Sequence, residues 1–579
     1  MKKGNERQEN STIEEAYKLS GGLTRNKLLS FIPAMLLSNV STFLLTTVDG
    51  LVVGNLVGVE SLSCVNFVVP ACLFINIATT LLCAGASNEL SRCMGNIDHE
   101  GLGRAKYAIN VMMVFSAVII SILQIPAMIA AIYIYHLSPE MSSMAFSYAI
   151  GIMIASPFGL VSTVAVYQLQ TIGRMGVIAA LSALEGGVNL VCDLLFVGVF
   201  DLGVAGAGYG TAVATIVRCA ISTVYMMKKT DMFRAERQKL SVGTVKAILA
   251  SGLPEASNVL VFSAQDYLIA VIIIRAFGDT GGAVKGICAF VLSIAMVFQG
   301  GVLGAMRSLS GLLGGAKAWK AMRFLMRQCI IVVTIMSCIL TGAALAVPEF
   351  FYGLNGVNVI PEGGTLALRI FSFCILFKGY NSLFRLYFTN HSEAAFSTAL
   401  TTATGCIPIV LALIFSMLFY APWLFMAYPL AEFFIFSINL AKYRRCVKAE
   451  ENEESNLGIV LNLTVKPEKA VEASRLIRDF ALENGIQRKY AYRISLCMEE
   501  MVAYAAASQK NSSLNIQIRV LFGDNGATFM MLDDGKCIVF DNDADLQEMT
   551  IDNYTLIKKV ARRVEYQYLL NMNYTVIQF

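Results

Sequence analysis

Twelve long apolar segments constrain this chain more than any other feature of its sequence. A helix needs roughly 20 mostly apolar residues to cross the hydrocarbon core of a bilayer. Segments of that kind occupy residues 28–53, 60–86, 107–134, 141–167, 175–199, 204–227, 246–275, 283–306, 328–349, 366–389, 396–419 and 422–441. Only 15% of the residues are charged, against about 25% in a typical soluble domain. We therefore predict an all-α polytopic protein whose first partner is the lipid bilayer.

The apolar excess ends abruptly, because residues 442–579 have the composition of an ordinary soluble protein. One domain cannot account for both compositions, so the chain is predicted to carry a soluble domain after its last span. The predicted organisation is an N-terminal tail at 1–27, an N-lobe of six spans at 28–227, a loop at 228–245, a C-lobe of six spans at 246–441, a charged linker at 442–457 and a soluble domain at 458–579.

Lysine and arginine concentrate in every second loop, which predicts the orientation of the spans. The basic segments include the N-terminal tail, the loop at 228–245 and the residues after the last span, whereas segments 135–140, 200–203, 350–365 and 420–421 contain no lysine or arginine. By the positive-inside rule both termini are predicted to be cytoplasmic, in a cell membrane. The small net charge of +4 gives no reason to expect a nucleic-acid partner.

The membrane part repeats itself. Residues 85–95 read GASNELSRCMG and residues 304–314 read GAMRSLSGLLG, so both fit G-A-x-x-x-L-S-x-x-x-G at an offset of 219. An offset of six spans keeps the orientation in the membrane, so the sequence predicts two parallel six-helix lobes. A small-molecule substrate is then expected to bind between the lobes near the midplane.

Ionisable side chains inside predicted spans are costly in lipid and indicate function. Asp49 lies in the first span, and Glu185, Asn189 and Asp193 share one face of the fifth because they are spaced i, i+4, i+8. Two carboxylates close together in a low dielectric favour a shared proton or a bound cation. We therefore predict a cation-coupling site in the N-lobe, with structural hydrogen bonding as the alternative. Since no acid falls at the matching positions of the second half, the site is predicted to be one-sided.

Other polar residues in the spans are candidates for a substrate cavity. They are Glu185, Gln168, Asp266 and Lys378, with Gln170 and Arg385 beside them. The alternative for the charged members is that they pair with one another or extend towards the headgroups. No metal site and no organic cofactor is predicted, because the 14 cysteines include no C-x-x-C pair and there are only three histidines.

Three stretches resemble the multidrug and toxic compound extrusion (MATE) family. They are VDGLVVG at 48–54, GASNELSRCMG at 85–95, and GGVNLVCDLLFVGVFDLGVAGAGYGT at 186–211, with APWLFMAYPLAEFF at 421–434 fitting as well. The resemblance covers about residues 25–445. It implies a twelve-helix, two-lobe antiporter that exports organic cations, drugs or metabolites against H⁺ or Na⁺. It also implies an N-lobe cation site formed by Asp49, Asn189, Asp193 and Thr211. Glu255 lies too early in the seventh span to match the acid that some family members carry there.

The soluble domain is predicted to be an α+β sandwich on a mixed sheet. Strands are predicted at 458–465, 513–522, 526–533, 565–571 and 573–579, and helices at 467–484, 487–508 and 553–564. The segments SLCMEEMVAYAAAS and LDDGK resemble the Bergerat-like ATPase domain of anti-sigma factors and histidine kinases. The resemblance implies that Glu500, Asp533 and Gly535 correspond to its nucleotide site.

Two departures from that ATPase pattern predict a domain that does not hydrolyse ATP. Tyr504 stands where the family has the asparagine that serves Mg²⁺, and residues 550–554 contain no glycine for a phosphate lid. A regulatory domain that binds a cytoplasmic protein through residues 458–579 is therefore predicted, with weak nucleotide sensing as the alternative. ATP and Mg²⁺ are not expected as cofactors. The whole chain is predicted to be a transporter and no enzyme.

Two other functions stay open at the level of sequence. One is a lipid-linked oligosaccharide flippase, which predicts a large cationic cavity between the lobes. The other is a membrane sensor that signals through its C-terminal domain. An ATP-driven pump is disfavoured because the chain contains no G-x-x-x-x-G-K-[ST] motif.

Overall fold

The computed structural model describes residues 22–56, 68, 73–134, 138–234, 236, 238–277, 281–355, 357, 359–391, 393–418, 421–456, 459–507, 514–523, 526–537, 557 and 560–579. These residues divide into two compact units. One comprises residues 30–318 and 326–440, and the other comprises the described parts of 1–29, 319–325 and 441–579.

Within the described residues, 12 helical segments are long and apolar enough to span a membrane, which confirms the polytopic prediction. The first half contains α1 (Gly22–Leu56), α2 (Leu73–Gly95), α3 (His99–Ile134), α4 (Pro139–Thr171), α5 (Met175–Asp193) and α6 (Gly203–Lys229). The second half contains α7 (Val242–Phe277), α8 (Gly281–Gly315), α9 (Trp319–Ala346), the short α10 (Pro348–Leu354), α11 (Gly364–Ser372), α12 (Cys374–Asn390), α13 (Ala394–Leu418) and α14 (Ala427–Asn456). Helices α11 and α12 together form the tenth span, Gly364–Asn390.

Several helices run past the predicted ends of their spans, because polar residues at those ends are buried by helix packing. Helix α8 is an example: the prediction ended at 306, yet Ser308 and Ser310 continue the helix and are buried. The hydropathy of a segment locates its apolar part, whereas the helix ends where its backbone hydrogen bonds end.

The two copies of the repeated motif pack directly against each other in the helical unit. Gly95 of α2 lies so close to α8 that an added Cβ would be 2.8 Å from the Cα of Gly315. A Cβ at Gly311 would collide with the Cβ of Ser91. Small residues allow membrane helices to approach at backbone distance. The repeat therefore supplies both faces of one helix–helix contact between the two halves.

Helices α2 and α7 make a second close approach between the halves, at the same end of the bundle. A Cβ added at Gly252 would collide with the carbonyl oxygen of Leu81, and one at Gly85 would collide with that of Ile248. Asn88 Nδ2 also donates to the carbonyl of Ser251 at 3.0 Å. The two halves are thus in contact at the end of the bundle that the basic loops predict to be cytoplasmic.

The soluble domain contains a five-stranded sheet in the order β1-β2-β3-β5-β4. Its strands are β1 (Ile459–Val465), β2 (Ile516–Gly523), β3 (Gly526–Asp533), β4 (Arg563–Leu569) and β5 (Met572–Gln578), and its helices are α15 (Ala470–Glu483) and α16 (Arg488–Ala507). A single hydrophobic core, which includes Ile477, Met498 and Phe529, joins the helices to the sheet. The α+β prediction is therefore confirmed at this level.

Three details of the soluble domain differ from the sequence prediction. Every pair among the described strands is antiparallel, whereas a mixed sheet was predicted. Strand β4 begins at Arg563, where a helix was predicted to reach 564; residues 553–556, 558 and 559 of that helix lie outside the described part of the chain. The segment predicted as a linker is helical, because α14 continues to Asn456.

Candidate functional site

The polar face predicted on the fifth span is deeply buried, and it meets the sixth span. Asp193 is 0% exposed and Asn189 is 1% exposed. Asn189 Nδ2 donates to Thr211 Oγ1 at 3.4 Å, and Thr211 in turn donates to the carbonyl of Ala207 at 3.1 Å. The structure therefore brings three of the four residues predicted for the coupling site into one cluster.

Helix α6 packs tightly around the Asp193 carboxylate. A Cβ at Gly210 would collide with Asp193 Oδ1, so a larger residue there would displace the carboxylate. A π-helical turn, Leu194–Val199, follows Asp193 directly. π turns are rare and occur mostly at functional sites, because they displace a side chain from its regular helical position. The local backbone thus holds Asp193 in a specific place against α6.

The cluster is rich in oxygen acceptors. Asn189 Oδ1 is buried and has no hydrogen-bond donor among the described residues. It lies one helical turn from the Asp193 carboxylate, on the same face. A proton or a small hard cation would satisfy such oxygens, whereas burial without one is costly. No group of three or more histidine, cysteine or acidic side chains arranged to hold a metal ion occurs among the residues described.

The fourth predicted member, Asp49, lies on helix α1, but its side chain is outside the described part of the chain. Its approach to Asp193 therefore stays a prediction.

Glu185 is paired with an arginine that the sequence reading overlooked. Arg218 Nη1 bonds Glu185 Oε2, and Arg218 Nη2 donates to Thr163 Oγ1 at 3.2 Å. Both charged side chains are largely buried, with exposures of 13% for Glu185 and 15% for Arg218. The signal was available, since Arg218 interrupts the apolar run of the sixth span and an intramembrane charge calls for a partner.

The two glutamines of the fourth span have different surroundings. Gln168 is fully buried, and neither atom of its amide group has a hydrogen-bond partner among the described residues. Gln170 Nε2 donates to the carbonyl of Gly304 at 2.7 Å, and Ser308 Oγ donates to the carbonyl of Gln170 at 2.8 Å. Gln170 thus contributes to the contact between the halves.

The second half carries buried acids of its own, which do not lie at the positions that match the predicted N-lobe site and which pair with basic side chains. Glu255 of α7 bonds Arg307 of α8 at 3.1 Å and lies 3.4 Å from Arg385 of α12. Arg385 also donates to Asn258 Oδ1 at 2.8 Å, and the Arg307 guanidinium lies 5.7 Å from the centre of the Tyr167 ring. The sequence comparison missed this cluster because it examined only the positions of the second half that lie at the repeat offset from the N-lobe acids.

Glu432 of α14 forms a second buried cluster, which the sequence reading also missed. Lys378 Nζ lies 3.5 Å from Glu432 Oε1, and Asn381 Nδ2 donates to Glu432 Oε2 at 2.7 Å. Asn439 donates to Asn381 Oδ1 at 2.9 Å, while the Lys378 ammonium lies 4.7 Å from the centre of the Phe262 ring. An acid inside the apolar run YPLAEFFIF was the available signal.

Two cavities lie beside these clusters in the second half. The first has a volume of about 290 Å³ and is lined by Lys378, Arg385 and Glu432. The second has a volume of about 320 Å³ and is lined by Asp266 and Lys285, which form an ion pair at 2.8 Å. The predicted cavity residues Lys378 and Asp266 therefore line different cavities, each with its own partner.

In the soluble domain, the carboxylate of Asp533 is held by the chain itself. Its Oδ1 accepts from the backbone N–H of Gly535 at 2.9 Å and from Asn573 Nδ2 at 2.6 Å. Asp533 is 0% exposed, and its Oδ2 has no partner among the described residues. Glu500 lies half-buried on α16, whereas the side chain of Tyr504 is outside the described residues. Asn573 thus donates to the aspartate that, according to the ATPase resemblance, would accept a hydrogen bond from a nucleotide.

Burial raises the pKa of Asp533 to about 6, so the folded domain holds the acid's proton more tightly than the unfolded chain does. When the pKa of an acid is higher in the folded state than in the unfolded state, the free energy of unfolding falls as the pH rises through the interval between the two values. We expect Asp533→Asn to stabilise the domain by about 3 kcal/mol at pH 7.5, with the gain shrinking as the pH falls towards 4. Amide hydrogen exchange of β3 and β5 in the full chain, compared between variant and wild type at pH 7.5 and at pH 4, measures this gain.

The control is Asp479→Asn, on an exposed face of α15, which should leave the exchange unchanged. A stabilisation by Asp533→Asn that is equal at the two pH values would contradict the raised pKa of Asp533.

Among the described residues, 12 candidate membrane spans are combined with buried ionisable clusters and two partly open cavities, features that fit a membrane transporter. The family model described as MatE matches residues 34–195. No curated protein matches the chain significantly.

Several solved transporter structures share the fold of this chain. An outward-facing multidrug resistance MATE family transporter of the MOP superfamily aligns with a TM-score of 0.70 at 20% identity, covering 74% of this chain and 97% of that one. A MATE structure in the straight conformation gives the same values. A MOP superfamily transporter from Pyrococcus furiosus, reported to have a binding pocket of reversed polarity, aligns with a TM-score of 0.69 at 20% identity, covering 74% and 96%. The helical part of this chain therefore has the MATE transporter fold.

Proposed function

We propose that this chain is a MATE-type secondary antiporter that exports small organic molecules in exchange for H⁺ or Na⁺. The observation that carries the proposal is the buried cluster of Asp193, Asn189 and Thr211, whose acceptor oxygens lie between α5 and α6. A cation that binds there changes the charge of a fully buried carboxylate, and so changes which packing of the two helices is favoured.

Alternating access supplies the mechanism. The halves are in contact at the end predicted to be cytoplasmic, through the glycine contacts of α2 with α7 and α8. Entry of a cation at the N-lobe cluster would shift the equilibrium between this arrangement and one that opens those contacts. From the arrangement that is closed at this end, the substrate would leave on the opposite side, and opening of the contacts would then release the cation and admit the next substrate, as the resemblance to MATE exporters implies.

The test is transport by purified full-length protein in proteoliposomes under an imposed pH or Na⁺ gradient. We expect Asp193→Asn and Asp49→Asn each to lower gradient-driven export at least about tenfold, because each removes a charge that the cation must meet. Asp201→Asn is the matched control: Asp201 is exposed and has a φ of 52°, a backbone conformation that asparagine tolerates. If Asp193→Asn and Asp49→Asn both kept gradient-driven export at the wild-type rate, the proposed coupling site would be disproved.

A further inference from the structure

The 290 Å³ cavity of the second half has a charge pattern that export of organic cations, one of the substrate classes implied by the family resemblance, does not explain. Among the described residues of its wall there are two cations, Lys378 and Arg385, but a single acid, Glu432. Glu432 already bonds the amide of Asn381 and lies 3.5 Å from Lys378. The described part of the wall thus carries one positive charge more than it carries negative charges.

The neighbouring residues do not cancel this excess. Arg385 reaches Glu255, but that carboxylate also bonds Arg307, so two guanidiniums share one acid. When Arg307 and Glu255 are added to the charged residues of the wall, the described cluster contains three basic side chains and two acids. In addition, Arg385 Nε is buried and has no hydrogen-bond partner among the described residues. A buried guanidinium with an unused donor is stabilised by an additional acceptor, above all by an anionic one.

The rest of the wall is suited to an organic body. The polar side of α12 follows helical spacing, since Lys378, Asn381, Ser382 and Arg385 all line the cavity. Apolar side chains face it from the other helices, among them Phe262, Met296 and Leu400. An apolar pocket with a few converging polar groups is the usual form of a small-molecule site, and 290 Å³ is near the lower end of the usual range.

We propose that this cavity binds the carboxylate of a small amphipathic organic acid, with Arg385 as the residue that receives it. This inference rests on the proposed export function and specifies its substrate class as anionic. The apolar part of the ligand would lie along Phe262 and Met296. The charges of Glu432 and Lys378 compensate each other in their ion pair. An organic cation would instead add to the positive excess of the wall.

The test is equilibrium binding of two radiolabelled probes to the purified full chain in detergent, without any gradient. Phenylacetate and phenethylamine share an aromatic ring and carry opposite charges. We expect phenylacetate to bind saturably and at least about tenfold more tightly than phenethylamine. Arg385→Gln should weaken phenylacetate binding at least about tenfold, and Arg385→Lys by only about threefold, because lysine keeps the charge but loses the planar fork.

Two further variants make the result decisive. Ser382→Asp adds a negative charge to the wall without removing an ion pair, so it should weaken phenylacetate binding even if Arg385→Gln proves unstable. Arg104→Gln removes a basic residue from an exposed ion pair of the first half and should leave binding unchanged. Tighter binding of phenethylamine, no saturable binding of phenylacetate, or unaltered binding by both cavity variants would overturn the inference.

The outcome is separable from that of the proposed function, because binding needs no gradient. Both measurements are therefore made on the same wild-type protein. Protein that binds phenylacetate but shows no gradient-driven export of any substrate would refute the antiporter alone. Coupled export of cations by protein that does not bind phenylacetate would refute the anion site alone.

Discussion

Replacing Glu255 by glutamine should destabilise the helical unit by about 3–5 kcal/mol, the usual effect of breaking a buried ion pair from one side. The substitution leaves Arg307 and Arg385 facing each other with no carboxylate between them. The exposures are 16% for Glu255 and 11% and 17% for the arginines, so water can compensate only a little. Thermal unfolding of the purified full-length protein in detergent, with wild type and variant in parallel, measures the loss.

Two comparisons show whether the cause is electrostatic. Glu100→Gln removes the acid of an exposed pair, Arg104 with Glu100, in which the side chains are 42% and 78% exposed. Its effect should stay within about 1 kcal/mol, as for surface pairs generally. The double variant Glu255→Gln with Arg385→Gln should recover part of the loss, because only Arg307 then lacks its partner. A double variant that is less stable than Glu255→Gln alone would show that packing, and not charge, sets the loss.

Gly252→Val should open the contact between α2 and α7 and should lower export at least about tenfold. A Cβ at 252 would collide with the carbonyl oxygen of Leu81, and backbone cannot move aside as a flexible side chain can. The arrangement in which the two halves meet at this end would then be excluded, and the transport cycle would be interrupted. Amide exchange of residues 81–92 and 245–256 should increase, which reports the opening directly.

Gly342→Val is the matched control for this prediction. Gly342 lies within span α9, and an added Cβ there would meet nothing within 4 Å. The control variant should keep wild-type exchange and export. If Gly252→Val exported at the wild-type rate with unchanged exchange, the contact would have no role in the cycle.

The sequence alone determined the spans, the two halves and the polar face of the fifth helix. Each is a local or periodic property: hydropathy over a window, an offset of 219 residues, or a spacing of i, i+4, i+8. The same holds for most helices and strands of the soluble domain, because the spacing of apolar residues that predicts each of them lies within a single segment.

The tertiary structure alone decided which charges meet. Glu255, Arg307 and Arg385 come from three spans, and no local pattern indicates that they converge. Asn573 reaches Asp533 across 40 positions of sequence, and the order of the antiparallel strands follows from such long-range pairings. A side chain's charge is fixed by the sequence, but the partner that neutralises it is fixed by packing, because Coulomb energies and hydrogen bonds depend on distances of a few ångströms in space.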